Sequence, residues 1–304
     1  MNSAPQEVNT SLATQSPAFA APVWIQRGTP EYWRVSVALF LAGFATFSLL
    51  YCVQPLLPEL AHRFAISPAQ SALALSVSTA CLAGSIVLAG ALSEGLGRRK
   101  LMFISMALAA LCNLLASFMP QWHALLAARA LEGLLLGGVP AVAMAYLSEE
   151  IDPPGLGFAM GLYVGGTALG GMLGRVGMSA MTEFWGWRHA MAVLSVLDLL
   201  AALGFVWLLP HSRNFIKKTG LGARYHLQAW GRHLHHPGLP LLFLIAFGLM
   251  GVFVSIYNYA GFLLSASPYQ LSQLQISHIF YAYLLGTAAS PIAGGLADRL
   301  GRGP

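Results

Sequence analysis

The chain has 304 residues, of which 57% are hydrophobic and only 9% charged, with a formal net charge of +5. A soluble domain carries about 25% charged residues, so these proportions exclude a water-soluble globule and describe a membrane chain. Topology and lipid headgroups account for the basic excess, and no nucleic-acid partner is required.

In chain order, residues 1–33 are rich in Ser, Thr, Gln and Pro, hold no apolar core of signal-peptide length, and read as a disordered cytoplasmic tail with no cleaved leader. Eight apolar stretches follow, near 35–57, 69–92, 101–119, 123–146, 157–180, 189–209, 239–264 and 275–297. Each approaches the ~20 residues that a helix needs to cross hydrocarbon. They lack the alternation of barrel strands, and backbone amides in lipid must be satisfied within the segment, so the fold class is all-α integral membrane. Six spans occupy 34–209 and two occupy 239–304, separated by the polar loop 210–238 with its five basic and no acidic residues.

An N-terminus inside the cell puts Arg27, Arg34, Arg98, Arg99, Lys100, Arg213, Lys217, Lys218, Arg224, Arg232, Arg299 and Arg302 on the cytoplasmic side, 12 of the 16 basic residues. Arg63 and Arg188 fall outside, and Arg129 and Arg175 within the membrane. In the loop, Leu227, Trp230 and Leu234 share a face, as in a short amphipathic helix on the inner leaflet. His233, His235 and His236 have no carboxylate or Cys nearby and read as loop residues rather than a metal site. Cys52, Cys81 and Cys112 lie in three different spans without ligand spacing, as apolar packing residues.

Two stretches nearly repeat: GALSEGLGRRK at 90–100 follows span two, and GGLADRLGR at 294–302 follows span eight. The matching positions are 204 apart, a period of six helices. Further echoes are SPAQ at 67–70 and SPYQ at 267–270, each before its span, and Tyr51 and Tyr257, each late in its span. Two like helical units in parallel orientation are the pattern of transporters that rock one half against the other.

On these motifs the chain resembles the major facilitator superfamily, its drug:proton antiporter-like members and the YnfM-type bacterial inner-membrane permeases. The superfamily loop signature is matched by Gly90, Leu92, Glu94, Gly97, Arg98, Arg99 and Lys100, with Glu94 in place of the usual Asp. The second copy has Gly294, Leu296, Asp298, Arg299, Gly301 and Arg302. The glycines permit close helix approach and a sharp turn, and the acid suits a helix N-terminus. The resemblance implies that these loops clasp the opposite half and hold one conformational state. Asp298 is then expected near the start of span five, around Gly157, and Glu94 at an eleventh helix.

Span four carries Arg129, Glu132 and Gly133, similar to the family's Arg-x-x-x-Gly pattern. A membrane-depth arginine needs a partner or a wet cavity, and Glu132, three positions on, shares its helix face. The pair reads either as a structural ion pair or as part of proton coupling, with Glu132 the better carrier because arginine stays charged. Span five carries Gly161, Gly165, Gly170 and Gly174, similar to the antiporter signature of that helix, with Arg175 where Pro is usual. Counting along the helices sets Arg129 and Arg175 both roughly 10 Å deep. Glu132 is therefore expected to serve both arginines, unless Arg175 snorkels outward. Asp198 in span six is a second proton candidate or a packing residue bonded to a hydroxyl.

Uncharged groups that could face a substrate are Tyr51, Gln54, Asn113, Tyr257 and Asn258. The resemblance places helices one, four, seven and ten around the cavity, which selects Tyr51, Gln54, Arg129, Glu132, Tyr257 and Asn258. Aromatic and amide groups suit amphiphilic or sugar-like molecules. No phosphate-binding loop or nucleophile–base spacing is present, so neither a nucleotide-driven pump nor an enzyme is read, and no cofactor or metal is called for. The superfamily has twelve spans and the sequence reaches GRGP after the eighth, the expectation for a chain truncated within its second bundle. Two readings stand. One is a proton-coupled exporter of small organic molecules in the inner (plasma) membrane, with the substrate, protons and bilayer as partners. The other is a truncated, non-transporting membrane protein that packs with a partner chain.

Overall fold

A computed structural model describes residues 23–215, 228, 231, 232 and 234–300. The tail before 23, the amphipathic helix expected at Leu227 and Trp230, Lys217, Lys218, Arg224, His233, and the hinge residues Gly301 and Arg302 lie outside the described residues.

Helix α1 (Pro30–Tyr51) opens on Thr29, whose hydroxyl accepts the Tyr32 N–H, with Pro30 as its first residue. Pro55 has no N–H to continue it. The chain passes through a 3-10 turn at Gln54–Leu56 into α2 (Leu57–Arg63). Helix α3 (Pro68–Leu96) starts in a capping box between Ser67 and Gln70. Gly97, at φ 88°, turns it directly into α4 (Arg98–Ser117), a conformation that a side chain would strain. Helices α5 (Trp122–Leu136) and α6 (Pro140–Glu150) form one interrupted span. Span four was expected unbroken over 123–146; Pro140 and the glycines before it interrupt it.

Helix α7 (Pro153–Leu208) runs 56 residues. At 1.5 Å per residue that is about 84 Å, far beyond a ~30 Å hydrocarbon core. Gly186 (φ 74°, ψ 156°) interrupts it. Gly174 packs on Ser48, and Asp198, twelve residues beyond Gly186, lies close to the same serine, so the two arms are antiparallel spans. Helix α8 (Leu239–Ser265), α9 (Gln273–Ser277), a 3-10 turn at His278–Ala282 and α10 (Tyr283–Leu300) complete the order. Among the described residues these elements make eight passages long and apolar enough to cross a membrane, α7 counting as two.

Three differences from expectation are local. The ordered chain begins before residue 34. Ile25 is buried, donates its N–H to Glu150 O (2.7 Å) and accepts that of Asp152 (3.1 Å), which straps residues 23–29 to the bundle end. Second, SPYQ at 267–270 forms a turn, and the capping box before span eight uses Ser272 and Gln275 instead, 205 positions after Ser67 and Gln70. Third, Gly294 matches Gly90 in sequence but not in surroundings. A Cβ on Gly294 would strike the Gly157 backbone, whereas Gly90 has nothing within 4 Å.

Helix α1 is the axis of the first bundle, and Val35, Ala38, Leu39, Ala42, Ala45 and Leu49 are fully buried. Its seam with α7 is a glycine ridge: Gly166, Gly170 and Gly174 face the backbones of Phe40, Phe44 and Ser48, four residues apart on both helices. On one bundle end, the N-terminal face, Glu150 accepts the N–H groups of Arg213 (3.0 Å) and Asn214 (3.0 Å) and the Ser212 hydroxyl, so α6 holds the exit from α7. On the opposite face Phe64 packs against Trp122 and Trp187. Helix α8 buries none of its residues within the chain.

Candidate functional site

The two halves meet at three levels. On the N-terminal face the Asp298 carboxylate of α10 accepts the N–H groups of Gly157 (2.8 Å) and Phe158 (3.0 Å) near the start of α7, where the helix dipole favours negative charge. Gly157 makes this possible: a Cβ there would collide with the Asp298 carboxylate and come within 2.6 Å of Gly294 O. The described residues of both hinge sequences lie on this face. Arg98 makes a bidentate pair with Glu149 (2.5 and 3.0 Å) and also donates to Ser93 (2.5 Å), and Arg99 donates to Val206 O and contacts His211. Glu94 is half-buried with one carboxylate oxygen unpartnered, and no contact to an eleventh helix falls among the described residues.

At mid-bundle Arg129 and Glu132 are wholly buried and ion-paired at 2.5 Å. The guanidinium also donates to Leu49 O (3.2 Å), Leu50 O (2.8 Å) and Ala74 O (3.3 Å), and to Asn113 Oδ1 (3.3 Å). Carbonyls at a helix end lack an intrahelical partner, and Arg129 supplies it where α1 breaks ahead of Pro55. Gly133 lets α3 close in, since a Cβ there would strike Ser78 O, and the Ser78 hydroxyl donates to Arg129 O (2.9 Å). The Arg-x-x-x-Gly spacing thus joins α5 to α1 and α3.

Arg129 and Glu132 were expected to line the substrate cavity. Both are 0% exposed and bonded only within the first bundle, because the orphan carbonyls of α1 draw the guanidinium inward. Asn113, a polar group of span three that was not selected for the cavity, accepts from Arg129 and donates to Ser195 Oγ (2.9 Å). Asp198, 1% exposed, has neither oxygen in a hydrogen bond, although Ser48 lies close. Arg129, Glu132 and Asp198 all stand within electrostatic reach of Cys52. Cys52, Cys81 and Cys112 are free thiols, and no metal-binding group of His, Cys, Asp or Glu occurs among the described residues.

Arg175 departs furthest from expectation. It neither shares Glu132 nor snorkels: it is 0% exposed, donates to Gln54 Oε1 (2.5 Å) and Gly171 O (2.6 Å), and lies over the rings of Tyr51 (3.9 Å), Phe280 (4.9 Å) and Tyr283 (5.0 Å). Gln54 in turn donates to Asn258 Oδ1 (2.5 Å), and Tyr257 stacks on Phe280 (5.1 Å). Tyr51, Gln54, Tyr257 and Asn258 are thus brought together around Arg175, with Phe280 and Tyr283 as members that the sequence reading missed. The two missed rings stand three residues apart, one helical turn, which is the signal they offered. A cleft of about 40 Å³, lined by Gln54, Tyr257, Phe280 and Gln273 among others, reaches this cage, with room for water but not for an organic molecule. Toward the opposite face Gln273 donates to Pro55 O (3.3 Å), a third contact between the halves.

Residues 39–304 match the Major Facilitator Superfamily. The chain is 47% identical over 281 residues to the inner membrane transport protein YnfM of Escherichia coli, covering 92% of this chain and 67% of that protein. It is 41% identical over 279 residues to the MFS-type transporter YybF of Bacillus subtilis, covering 91% of this chain and 69% of that one. Among solved structures it resembles the human organic anion transporter MFSD10 at a TM-score of 0.65, covering 90% of this chain and 74% of that one; at 20% identity this likeness speaks for the fold alone. The chain belongs to the Major Facilitator Superfamily and is a membrane transporter by family, with small-molecule cargo and a lipid surround as the family implies.

Proposed function

We propose that this chain is the cavity-forming part of a proton-coupled exporter of small organic molecules that works by alternating access, seated in the inner membrane with its N-terminus in the cytoplasm. The observation that carries the reading is the buried cluster of two acids and one arginine. Arg129 balances one carboxylate, and charge balance in a dry interior asks for a proton on the other. The cluster is mechanically placed, since Arg129 holds Leu49 O and Leu50 O and the next residues of α1 are Tyr51 and Gln54 of the inter-half cage. A proton that leaves or joins Glu132 or Asp198 changes the hold on the break in α1, and so biases which face is open. The basic residues support the orientation: Arg98, Arg99 and Arg213 sit on the N-terminal face with the strap.

Efflux of labelled organic solutes from cells or proteoliposomes under an imposed proton gradient tests the reading, with Glu132→Gln and Asp198→Asn beside the parent. At least one variant is expected to lose its dependence on the gradient. Equal, gradient-driven activity in both clears these acids of the role. A second reading, a non-transporting chain that packs against a partner, draws on α8, none of whose residues is buried. It predicts a stable stoichiometric complex in detergent and no solute movement.

A further inference from the structure

The Arg175 cage departs from the usual treatment of buried charge. Buried cations are ordinarily paired with an acid, and Arg129 follows that rule. Among the described residues no carboxylate ion-pairs with Arg175. Of the five N–H donors of a guanidinium, two are used, toward Gln54 and Gly171, and Nη2 is buried without a partner. Beside it lies the buried Tyr283 hydroxyl, near enough to interact with the guanidinium but not aligned with it in a well-formed hydrogen bond, so both groups keep capacity for a further partner. Asn258 accepts from Gln54 through its oxygen, which leaves its amide N–H groups as donors on the same rim. The cage is therefore rich in donors and short of one acceptor with a negative charge.

The geometry points to Arg175 as the anchor of a site for a small organic anion, a carboxylate carried on a planar ring. This deepens the transport reading above, and rests on it only in taking the bound molecule as cargo. One carboxylate would meet Nη2 and the Tyr283 hydroxyl together and neutralise the guanidinium. The stacked pair Tyr257 and Phe280 offers a flat apolar wall beside that position, suited to an aromatic ring. The cage is split between the halves: Tyr51, Gln54 and Arg175 belong to the first, Tyr257, Asn258, Phe280 and Tyr283 to the second. When the halves part, Phe280 and Tyr283 draw back from Arg175 and admit an anion between the guanidinium on one side and the Tyr283 hydroxyl on the other. The cleft at Gln54, Tyr257 and Phe280 marks the approach from the face opposite the Asp298 contact.

Equilibrium binding of benzoate, benzyl alcohol and benzylamine to the detergent-solubilised full chain, by calorimetry or thermal stabilisation, tests this without any gradient. Benzoate is expected to bind at least ~10-fold tighter than benzyl alcohol, the scale of one charge-assisted contact, with benzylamine weaker still. Arg175→Gln should abolish the preference for the anion. Tyr283→Phe, which removes one oxygen and leaves the ring, should weaken benzoate about threefold or more, and Arg175→Lys should keep the sign of the preference. Equal binding of benzoate and benzylamine, parental benzoate affinity in Arg175→Gln, or binding of inorganic phosphate with benzoate excluded would each overturn the proposal. Benzoate selectivity that persists while efflux shows no proton dependence would remove the coupling reading and leave this one standing.

Discussion

Arg129 shows how one residue can be both legible and misread. Its pairing with Glu132 follows from a spacing of three on one helix, and the ion pair forms at 2.5 Å. Its burial does not follow from span four at all, because the partners that fix it are the carbonyls of Leu49, Leu50 and Ala74 on two other helices. Removing one member of a buried pair strands the other. Arg129→Met is accordingly expected to cost about 3–5 kcal/mol of stability, read by denaturant unfolding of the solubilised chain. The double variant Arg129→Met/Glu132→Met should recover part of that loss while the α1 carbonyls stay uncapped. A single-variant cost below about 1 kcal/mol, the scale of an exposed pair, would show that the pair is not the buried one described. Arg175 was misread for a related reason. Counting residues gives depth but not azimuth, so the sequence could not tell that this arginine faces Tyr51 and Gln54 instead of Glu132.

Among the elements, the small-residue pattern Gly161, Gly165, Gly170 and Gly174 of α7 was recognisable, and it serves two seams: Gly170 and Gly174 admit α1, and Gly161 and Gly165 admit α10. Gly170→Val places a side chain onto the Phe44 backbone, which cannot yield as a flexible side chain would. A loss of at least ~3 kcal/mol, at the upper end of overpacking costs, is expected. Gly177→Val, two turns along in open space, should leave the melting temperature nearly unchanged. Similar melting temperatures for the two variants would show that the seam is looser than drawn. The turn at Gly186 and the break before Pro140 are also glycine and proline events. A hydropathy pattern reports only that apolar length is present, so the broken span four was expected as one helix. The SPYQ echo failed differently: the repeated letters lie in a turn, and the equivalent cap is formed by Ser272 and Gln275.

Across the molecule, the two halves meet along a close helix seam, where Gly157, Gly161 and Gly165 of α7 face Gly294, Ser290 and Thr287 of α10, with polar contacts added toward its ends. The Asp298 contact is charge-assisted on two backbone N–H groups. Asp298→Asn keeps the shape and removes the charge, with an expected weakening of about 0.3–1 kcal/mol from the helix-dipole interaction. Cysteines placed at Phe158 and Gly295, which face each other across the joint, should cross-link severalfold less in Asp298→Asn than in the parent, with the native thiols replaced in both. Unchanged cross-linking would remove Asp298 as the clasp. The contact was foreseen at Gly157 because the repeated hinge sequence implied it through the family resemblance. The cage around Arg175 was foreseen only in part, since Tyr51, Gln54, Tyr257 and Asn258 were chosen by helix number whereas Phe280 and Tyr283 come from span eight.

The sequence by itself determined the solvent, the all-helical class, the order of the spans and the pairing of Arg129 with Glu132. Each of these is written in composition or in spacing along a single helix, and hydrocarbon leaves a chain no other way to satisfy its backbone. Only the tertiary structure decided which face each helix turns to its neighbours. It therefore decided that one buried arginine caps a broken helix beside an acid while the other stands among aromatic rings, with no acid among the described residues paired to it. Those outcomes depend on helix rotation and on groups distant in the chain, 55–80 residues away for Arg129 and more than a hundred for Gln54 and the rings around Arg175, for which local periodicity holds no record.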